Sequence, residues 1–527
     1  VVVVGVVVVV GVVVVVGVVV VVGVVVVVGL ATLGLATQLL AARQFITYAQ
    51  TASGDLPAQL AAIYVAETVQ GWSNWQFREA DFGIEEGSIG ELFAEVAVST
   101  FLRHHLSHAN YEALAQQLAI TNQTIDDDLQ AEHREFQQLL RRFASERIAP
   151  QAEAIHRQDL DVPQQFIDEL AEMGCYGLSI PARYGGFQDN DQPDHLMMVI
   201  ASDELSRASF GTAGSLITRP ELLAKAILMG GTEAQKQKWL PKIAGGQIQT
   251  AVAITEPDYG SNVAGLTTKA DKVEGGWRLS GTKMWCTYAG RAEILMVLAR
   301  TNPDRSLGHK GLTLFIVEKP VAAGHQFSHA TNGGTIHGRA IATIGYRGMH
   351  SYEVVFDNYF VPDAQVIGEE AGLGRGFYLQ MHGFAGSRLQ TAGRALGLMS
   401  AAFGDGLHYI QERHVFNKPL LSYSLVRRRL VSLAAQIQAC RRLTFFAAAE
   451  LDAGRGDVGA AMAKLLTAKT AEIVTRQVQQ WHGGMGYAEE FPISRHFVDA
   501  RVLAIFEGAE EVLALRVIAR ALLKAVG

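Results

Sequence analysis

The segment Ile505-Phe-Glu-Gly508 places one glutamate, Glu507, after two apolar residues and ahead of a glycine. Burial against apolar groups raises the pKa of a carboxylate towards neutral pH, which suits a general base that takes a proton from carbon. The structural alternative is a glutamate in the first turn of the next helix, where it would interact favourably with the helix dipole. In isolation that alternative is the commoner one, so the other motifs decide between the two.

A loop rich in glycine and hydroxyl groups runs from Ile254 to Gly265, with the sequence ITEPDYGSNVAG. It follows a short apolar run that we predict to be a strand. Small residues at a strand end let backbone N–H groups approach a ligand closely, which suits a flavin or a pyrophosphate. Thr255 and Ser261 supply hydroxyls. The structural alternative is a polar turn between two strands.

Trp285 and Thr287 lie in the segment GTKMWCTYAG, residues 281–290. In a strand, residues two apart share a face, so the indole ring and the hydroxyl would address the same ligand. A tryptophan ring can cover one face of a flat ligand such as a flavin. The alternative is a buried structural tryptophan.

Two more segments carry groups that could contact a ligand, either by binding phosphate or through exposed backbone. In QERHVFNKP, residues 411–419, Arg413 offers a planar guanidinium that stays charged. Asn417 belongs to a residue type that tolerates a positive φ angle. In QWHGGMGY, residues 480–487, two glycines follow a helical run, although two glycines also make an ordinary helix C-cap. We predict that His482 is a packed, hydrogen-bonded histidine rather than a catalyst.

Helices are expected on the N-terminal side of these motifs. Residues 30–124 show apolar side chains at helical spacing, with interruptions at Gly71 and at residues 83–87. We predict three or four helices there, forming an accessory extension without an obvious chemistry.

The helical pattern continues through residues 125–246. Thr232 and Gln235 form a predicted capping box at the start of one helix. Pro241 is predicted to stop that helix after Leu240.

At Gln247 the period changes to that of strands. Five short runs rich in β-branched or apolar residues are predicted strands: Thr250–Ile254, Trp277–Leu279, Ile294–Ala299, Leu312–Val317 and Glu353–Phe356. Turn signals separate them without helices between, which favours an antiparallel barrel or sandwich. From Gly376 to Ala525 the helical period returns in four or five long segments.

This order predicts a segregated, mostly helical α+β fold rather than the alternation of a doubly wound one. The predicted divisions are a valine and glycine tract at 1–29, a helical extension at 30–124, an α-helical domain at 125–246, a β domain at 247–365 and a helical bundle at 366–527. The first tract lacks the mixed composition and flanks of a natural membrane span, so we interpret it as a placeholder for chain of unknown identity.

Composition narrows the class of protein. The chain has 527 residues and a net charge of −7, which suits a large protein and gives no electrostatic footprint for nucleic acid. Cys175, Cys286 and Cys440 lie far apart and match no metal-ligand spacing, so we predict neither a disulfide framework nor a metal site. A reducing, cytoplasmic location is favoured, with no transmembrane segment outside the valine tract.

These motifs resemble those of the acyl-CoA dehydrogenase family, and they occur along the chain in the family's order. ITEPDYGSNVAG is similar to the family's TEPxxGSD, GTKMWCTYAG to GxKxWITN, ERHVFNKP to ERxxFGKP, QWHGGMGY to QxxGGxGY, and DARVLAIFEGAEEV to DARxxxIYEGT. The resemblance covers about residues 131–525. It implies an N-terminal helical domain, a middle antiparallel β domain and a C-terminal four-helix bundle, with residues 30–124 outside the common core.

The resemblance implies FAD as the cofactor. The residues that it assigns to FAD are Thr255, Ser261, Trp285, Thr287, Arg413, Phe416, Gln480, Gly483 and Gly484. Those from Arg413 onward would reach the FAD of a neighbouring subunit, so a homodimer or homotetramer is expected. Ser261 would also contact the CoA pyrophosphate. The chain departs from the family pattern at Asn262, Asn417, Ala509 and Glu511, which leaves the contacts at these positions open.

The resemblance also assigns the chemistry. Glu507 falls at the family's catalytic glutamate and would take the α-proton of an acyl thioester while the β-hydrogen leaves as hydride to the flavin. Some members carry the base on an earlier helix just before an arginine, but here Ser387 precedes Arg388. Arg388 would help to bind CoA, with a solvent-facing helix arginine as the alternative. Relatives pass the electrons to electron-transferring flavoprotein.

Further segments resemble the branch of the family that oxidises (2S)-methylsuccinyl-CoA to mesaconyl-CoA in the ethylmalonyl-CoA pathway: residues 344–357, 376–383, 506–511 and the helical extension. Such a substrate is branched and carries a free carboxylate, so its pocket needs a cation or several donors. Arg219, Arg347 and His350 are the candidates, each with a structural role as the alternative. A glutaryl-CoA enzyme is disfavoured, because Ala213 stands where it carries its carboxylate-binding arginine.

Other activities stay open on the same fold. One group comprises other short-chain or branched-chain dehydrogenases, of the isobutyryl-, butyryl- or glutaryl-CoA type. Another comprises an acyl-CoA oxidase or a flavin monooxygenase, since oxygen reactivity depends on solvent access to the flavin. A non-catalytic flavoprotein that binds DNA or a partner is disfavoured by the intact Glu507 and by the lack of a basic C-terminal extension.

Overall fold

The computed structural model describes residues 2–9, 12–19, 25–72, 94–121, 127–189 and 192–526. The chain divides into two compact units. Unit 1 comprises the residues up to Glu135 together with 398–450 and 455–527, and unit 2 comprises 136–397 and 451–454.

The described residues are mostly helical. In chain order the α-helices are α1 (Val25–Thr51), α2 (Leu56–Trp72), α3 (Val96–His105), α4 (His108–Thr121), α5 (Ala131–Phe143), α6 (Ala149–Gln158), α7 (Gln164–Glu172), α8 (His195–Ser209), α9 (Thr218–Gly230), α10 (Glu233–Ala244), α11 (Gly376–Glu412), α12 (Ser424–Asp452), α13 (Asp457–His482), α14 (Pro492–Val502), α15 (Glu510–Val512) and α16 (Ala519–Val526). Short π-helical turns at Ala144–Ile148 and Leu513–Ile518 join α5 to α6 and α15 to α16. None of the helices among the described residues is long and apolar enough to cross a membrane.

The strands are β1 (Val2–Val9), β2 (Val12–Val19), β3 (Thr250–Ala253), β4 (Lys269–Val273), β5 (Gly276–Thr287), β6 (Ile294–Arg300), β7 (Leu312–Glu318), β8 (Gln326–Thr331), β9 (Gly334–Ile341), β10 (Ser351–Pro362), β11 (His414–Val415) and β12 (Lys418–Pro419). Eight of them form one sheet in the order β3-β6-β4-β5-β10-β9-β8, with β7 paired to β6. The pairs β1-β2 and β11-β12 are separate hairpins. The expected order of helices, strands and helices is confirmed, and the divisions proposed at residues 124, 246 and 365 stay predictions.

The sequence of strand β6 is apolar from Ile294 to Ala299, and the packing of the strand explains this pattern. Ile294, Met296 and Leu298 pack in a core with helices α9 and α10. Leu295 and Val297 point the other way, into a core with β5 and β10. Because both faces of the strand are covered, alternate residues fill two different cores and polar alternation disappears.

The sequence predicted five of the eight strands in this sheet and missed β4, β8 and β9. These three strands expose every second residue or more, and sequences such as KADKV offer few apolar residues to mark them. The sheet is antiparallel except where β6 pairs in parallel with β3 and with β4. Parallel neighbours need a long connection, and about forty residues separate β3 from β6 along the chain.

In helix α10 the predicted start signal is confirmed and the predicted stop signal is wrong. The capping box is present, with Thr232 accepting a hydrogen bond from the Gln235 backbone and the Gln235 side chain accepting one from the Thr232 backbone. The expectation that Pro241 stops the helix was wrong, because Pro241 lies inside α10, which ends at Ala244. A proline removes one helical hydrogen bond. The carbonyl that would have accepted this hydrogen bond is that of Gln237, an exposed residue.

The helical extension belongs to unit 1 together with the C-terminal helices. Glu67 in α2 accepts hydrogen bonds from the Tyr111 hydroxyl, at 2.8 Å, and from Ser432 in α12. Gln411 donates to the Ala119 carbonyl at 3.1 Å. Polar contacts therefore join the extension to the C-terminal helices as well as to itself.

A second contact anchors the end of the extension. Arg442 in α12 donates to the Asp127 carboxylate at 2.8 Å and lies over the Tyr48 ring, 3.7 Å from its centroid. As predicted, the residues 30–121 that the structure describes are helical. Gly71 lies inside α2, one residue before its end, and residues 83–87 fall outside the described residues.

Candidate active site

In unit 2, the loop after β3 is held by a buried ion pair that the sequence reasoning missed. Glu256 and Lys283 are 3% and 0% exposed, and Lys283 Nζ lies 2.8 Å from Glu256 Oε1. Three further donors reach the carboxylate: the backbone N–H groups of Thr267 and Thr268 and the Thr267 hydroxyl, at 2.7–2.9 Å. The pair fastens both ends of the ITEPDYGSNVAG loop to β5.

The pKa of Glu256 reflects these contacts. Burial by itself would raise this pKa, but Lys283 and the hydrogen bonds from Thr267 outweigh burial and lower the pKa to about 2. Burial lowers the pKa of Lys283, and Glu256 opposes that effect. Four converging donors favour the carboxylate over the carboxylic acid, so Glu256 is charged at neutral pH.

Trp285 lies in a β-bulge. Between the pairs Cys286–Tyr352 and Lys283–Val354, β5 has one more residue than β10, and Trp285 has a φ of 61°. Its side chain is 54% exposed, which excludes a buried structural tryptophan within this chain. The rule that residues two apart share a face does not apply across a bulge, so the sequence argument that paired Trp285 with Thr287 was wrong. Their roles toward a flavin stay predictions.

Thr287 and Thr255 flank the bulge on different elements. Thr287 is buried and its hydroxyl lies 3.0 Å from the Ser351 hydroxyl across the β5-β10 pair. The carbonyl of Thr255 accepts a hydrogen bond from the Met284 backbone at 2.8 Å, which ties the loop to the residue before Trp285. Ser261, at the far end of the loop, is exposed.

Arg219 and Arg388 are both buried, at 7% and 8% exposure. Arg219 in α9 lies close enough to Cys286 to oppose the effect of burial, which raises the pKa of that thiol to about 12. Arg388 in α11 lies 5.9 Å from the centre of the Phe384 ring, so it is not the solvent-facing arginine of the alternative interpretation.

Arg347 and His350 have structural partners. Arg347 donates to the carbonyls of Thr343 and His156, both at 3.0 Å. The ring nitrogens of His350 lie 3.7 Å from Asp159 and 3.2 Å from Asp161. These contacts support the structural alternative for both residues, and their roles toward a substrate stay predictions.

In unit 1, Glu507 lies in a turn rather than in a helix. Helix α15 starts at Glu510, so Glu510 and Glu511 are the acidic residues of its first turn and Glu507 precedes it. The helix-dipole alternative for Glu507 is therefore wrong. Glu507 is half-buried and has a φ of 54°, an uncommon backbone conformation that is enriched at functional sites. Ile505 is 55% exposed and does not provide the expected apolar burial within this chain.

A buried lysine fixes this turn. Lys464 in α13 is 0% exposed, and its Nζ donates to the carbonyl of Gly508 at 2.7 Å. Gly508 follows Glu507 and has a φ of 95°. A fully buried lysine inside an otherwise helical pattern gave no sequence signal that pointed to residue 508.

The Arg413 motif forms a tight hairpin. Strands β11 and β12 are joined by Phe416 and Asn417, with φ angles of 49° and 61°. Two positive φ angles define a type I′ hairpin turn, and the expectation that Asn417 supports a positive φ is confirmed. Phe416 is 87% exposed and Arg413 is exposed as well. An aromatic side chain at the tip of a tight turn is available to another surface.

The Gln480 motif is joined to this hairpin through Tyr409. His482 stacks on the Tyr409 ring at 4.0 Å and its Nδ1 lies 2.9 Å from the Val478 carbonyl, which confirms a packed histidine. The Tyr409 carbonyl also accepts a hydrogen bond from the Arg413 backbone N–H. Gln480 and the two glycines of the motif, Gly483 and Gly484, are exposed, and space is open around both glycines.

Comparison with known proteins shows which protein family the chain belongs to. Models of the acyl-CoA dehydrogenase N-terminal, middle and C-terminal domains match residues 130–247, 251–359 and 374–523. The chain is 39% identical to (2S)-methylsuccinyl-CoA dehydrogenase of Cereibacter sphaeroides, over 85% of this chain and 79% of that one. It therefore belongs to the acyl-CoA dehydrogenase family, oxidoreductases that act on CH–CH bonds of acyl-CoA.

Solved structures agree with this assignment. Butyryl-CoA dehydrogenase from Megasphaera elsdenii matches with a TM-score of 0.68 and 32% identity, covering 76% of this chain and 100% of that one. A chain in a structure of the electron transferring flavoprotein of Acidaminococcus fermentans matches with a TM-score of 0.68 and 29% identity, with the same coverage. The fold predicted from the motifs is confirmed.

The buried carboxylate of Glu256 makes stability depend on pH. Its pKa is lowered in the folded chain, so its contribution is present above the ordinary value of 4.5 and is lost as the pH falls towards about 2. We expect Glu256→Gln to lower the free energy of unfolding by about 3 kcal/mol at pH 7. In urea denaturation, this difference from wild type should shrink between pH 5 and pH 3. Glu274→Gln, at an exposed turn, is the control; a pH-independent difference would contradict the assignment.

Lys464 is expected to position the turn that carries Glu507. Lys464→Met removes the donor to Gly508, and a displacement of about 1 Å at a catalytic group can cost about 100-fold in kcat. We expect such a loss of acyl-CoA dehydrogenation with the flavin content unchanged. Lys469→Met is the control, because Lys469 lies on the same helix, is half-exposed and pairs with Glu510 at 3.6 Å. Equal activity of the two variants would show that Lys464 has no positioning role.

Proposed function

We propose that the chain is a FAD-dependent dehydrogenase of a short branched acyl-CoA, and that its substrate is (2S)-methylsuccinyl-CoA, oxidised to mesaconyl-CoA. The similarity to the Cereibacter enzyme supports the substrate. Within the structure, the supporting observation is Arg219, a buried cation in α9. A buried arginine suits a substrate that ends in a carboxylate, because charge-assisted hydrogen bonds are strong where water is excluded. The product would place the enzyme in the ethylmalonyl-CoA pathway.

The residues of unit 2 fit FAD. Trp285 has an exposed ring on a bulge, and the hydroxyl of Thr287 lies one residue beyond a fully buried Cys286. A half-exposed indole and neighbouring hydroxyls suit a flat ring system with polar edges. We propose that Thr255, Trp285 and Thr287 contact the isoalloxazine ring and that Ser261 contacts a pyrophosphate. When bound, FAD supplies the acceptor for the hydride that leaves the β-carbon.

Glu507 is the proposed general base. Its carboxylate takes the α-proton of the thioester, and the backbone N–H of the same residue donates to the thioester oxygen, where negative charge develops. A preorganised donor stabilises that charge without reorganisation during the reaction. The uncommon φ of Glu507 and the hydrogen bond from Lys464 to Gly508 support a fixed geometry for both groups.

The exposed groups of unit 1 support an assembly of at least two copies. Arg413, Phe416, Gln480, Gly483 and Gly484 are proposed to complete the FAD site of a neighbouring subunit in a homodimer or homotetramer. An 87% exposed phenylalanine at a hairpin tip supports this role. Electron-transferring flavoprotein is the proposed electron acceptor, supported by the similar chain in the Acidaminococcus structure. A cytoplasmic location stays a prediction, and all three cysteines are buried free thiols.

Glu507→Gln tests the base. The amide cannot accept the α-proton, so we expect the variant to retain FAD and to lose reduction of the flavin by several orders of magnitude. The measurement is stopped-flow bleaching of the flavin absorbance under anaerobic conditions. Glu510→Gln is the matched control, because Glu510 is a true first-turn glutamate of α15. Rapid bleaching of Glu507→Gln would remove Glu507 from the mechanism.

A panel of thioesters tests the substrate. Wild type should be reduced fastest by methylsuccinyl-CoA among methylsuccinyl-, isobutyryl-, butyryl-, glutaryl- and isovaleryl-CoA. Arg219→Met should slow methylsuccinyl-CoA about 100-fold and butyryl-CoA little, since loss of a buried charge pair costs about 2–5 kcal/mol. Arg183→Met, at an exposed residue of the same unit, is the control and should keep the preference. Fast reduction by a monocarboxylic member with none by methylsuccinyl-CoA would refute the substrate, but not the dehydrogenase.

A further inference from the structure

Three side chains in unit 2 converge next to the β5-β10 pair, where the His350 carbonyl accepts a hydrogen bond from the Tyr288 backbone N–H at 2.8 Å. Asp159 follows α6, His325 precedes β8 and His350 precedes β10. One ligand atom from each of them lies within 4.8 Å of those of the other two. Residues from three separate segments, including two histidines, are a pattern that suits metal coordination.

His350 is oriented by a second carboxylate. His350 is buried, its Nε2 lies 3.2 Å from Asp161 Oδ1, and its Nδ1 lies 3.7 Å from Asp159 Oδ1. Asp161 therefore lies beside Nε2, and Nδ1 is on the side of Asp159. Metal-binding histidines commonly have such a carboxylate partner on the other ring nitrogen, which fixes the tautomer.

The backbone that presents His325 is fixed by the same carboxylate. The N–H of Gly324 donates to Asp161 Oδ2 at 3.2 Å, and the Gly324 carbonyl accepts from the Tyr352 hydroxyl at 2.9 Å. The His325 ring lies 4.3 Å from the His350 ring, centroid to centroid. His325 is exposed, so an ion has a route from solvent.

Two of the three residues hold an uncommon backbone conformation. Asp159 and His350 have φ angles of 54° and 43°. Non-glycine residues with positive φ are uncommon and gather at ligand clamps and functional sites. At Asp159 this conformation is that of the C-cap of α6, and at His350 it directly precedes β10.

One cation already lies nearby. Arg347 Nε lies 3.6 Å from Asp159 Oδ1. Its guanidinium, however, donates to the Thr343 and His156 carbonyls at 3.0 Å, so these shorter hydrogen bonds direct it towards the backbone. Asp159 thus retains acceptor capacity for a metal ion.

We propose that Asp159, His325 and His350 bind a divalent transition-metal ion of the zinc class, with Asp161 as the residue that orients His350. Imidazole nitrogens with one carboxylate favour zinc over calcium or magnesium, which prefer oxygen ligands. Ligand bonds of about 2.0–2.1 Å in a tetrahedral site place ligand atoms about 3.4 Å apart, so the side chains of the cluster, whose ligand atoms lie within 4.8 Å of one another, would close in by up to about 1.4 Å. The ion would cross-link the end of α6 to the segments before β8 and β10. This role goes beyond the proposed oxidation of acyl-CoA.

The test uses the FAD-loaded, full-length protein after removal of metals with EDTA and exchange into chelator-free buffer. Isothermal titration with zinc chloride should show one zinc per chain, with micromolar or tighter affinity. His325→Ala should abolish this binding, and Asp161→Asn should weaken it about 10–100-fold, as expected for a residue that orients a ligand. His337→Ala is the control, because His337 is an exposed histidine on β9 outside the cluster.

A second readout separates a structural metal from chance binding to surface histidines. Zinc should raise the melting temperature of wild type and of His337→Ala but not that of His325→Ala. If His325→Ala does not fold, Asp159→Asn takes its place. No binding of zinc by wild type, or binding with unchanged affinity in the variant that lacks a ligand, would overturn the proposal. Neither result would bear on the proposed dehydrogenase activity.

Discussion

The buried ion pair between Glu256 and Lys283 is the interaction on which the loop after β3 and the start of the bulge in β5 depend. Burial of two charges is costly unless their geometry is good and their remaining hydrogen-bonding capacity is satisfied. Here four donors meet one carboxylate, and Lys283 also donates to the Ile254 carbonyl at 3.0 Å. The pair therefore fixes the loop after β3 against β5, and the bulge that exposes Trp285 follows directly along the same strand.

The same device, a buried lysine that holds a loop, recurs in unit 1. Lys464 reaches from the interior of α13 to the carbonyl of Gly508 and so fixes the turn that contains Glu507. In both cases the residue proposed to act on substrate or cofactor is half-buried or exposed, whereas the residue that places it is fully buried. A lysine is well suited to this task because its long stem reaches across a packed core to a carbonyl or carboxylate.

The helical extension is part of the same unit as the C-terminal helices. Glu67, Tyr111 and Ser432 form a hydrogen-bonded group, and Arg442 combines an ion pair with Asp127 and a contact with the Tyr48 ring. Such contacts satisfy polar groups that would otherwise be costly to bury. They account for a long N-terminal segment that carries no recognisable catalytic motif. The extension is thus an integral part of unit 1.

The sequence by itself determined the fold class and the motif positions, because glycine turns, capping signals and apolar periodicity are local properties. The family followed from the resemblance of the motifs. The sequence also singled out Glu507 and Trp285 as candidates, although it assigned Glu507 a helix-dipole alternative and Trp285 a regular strand. Only the tertiary structure decided that α15 starts after Glu507 and that β5 bulges at Trp285. It alone paired Glu256 with Lys283 and gathered Asp159, His325 and His350, since residues far apart in the chain meet only through packing.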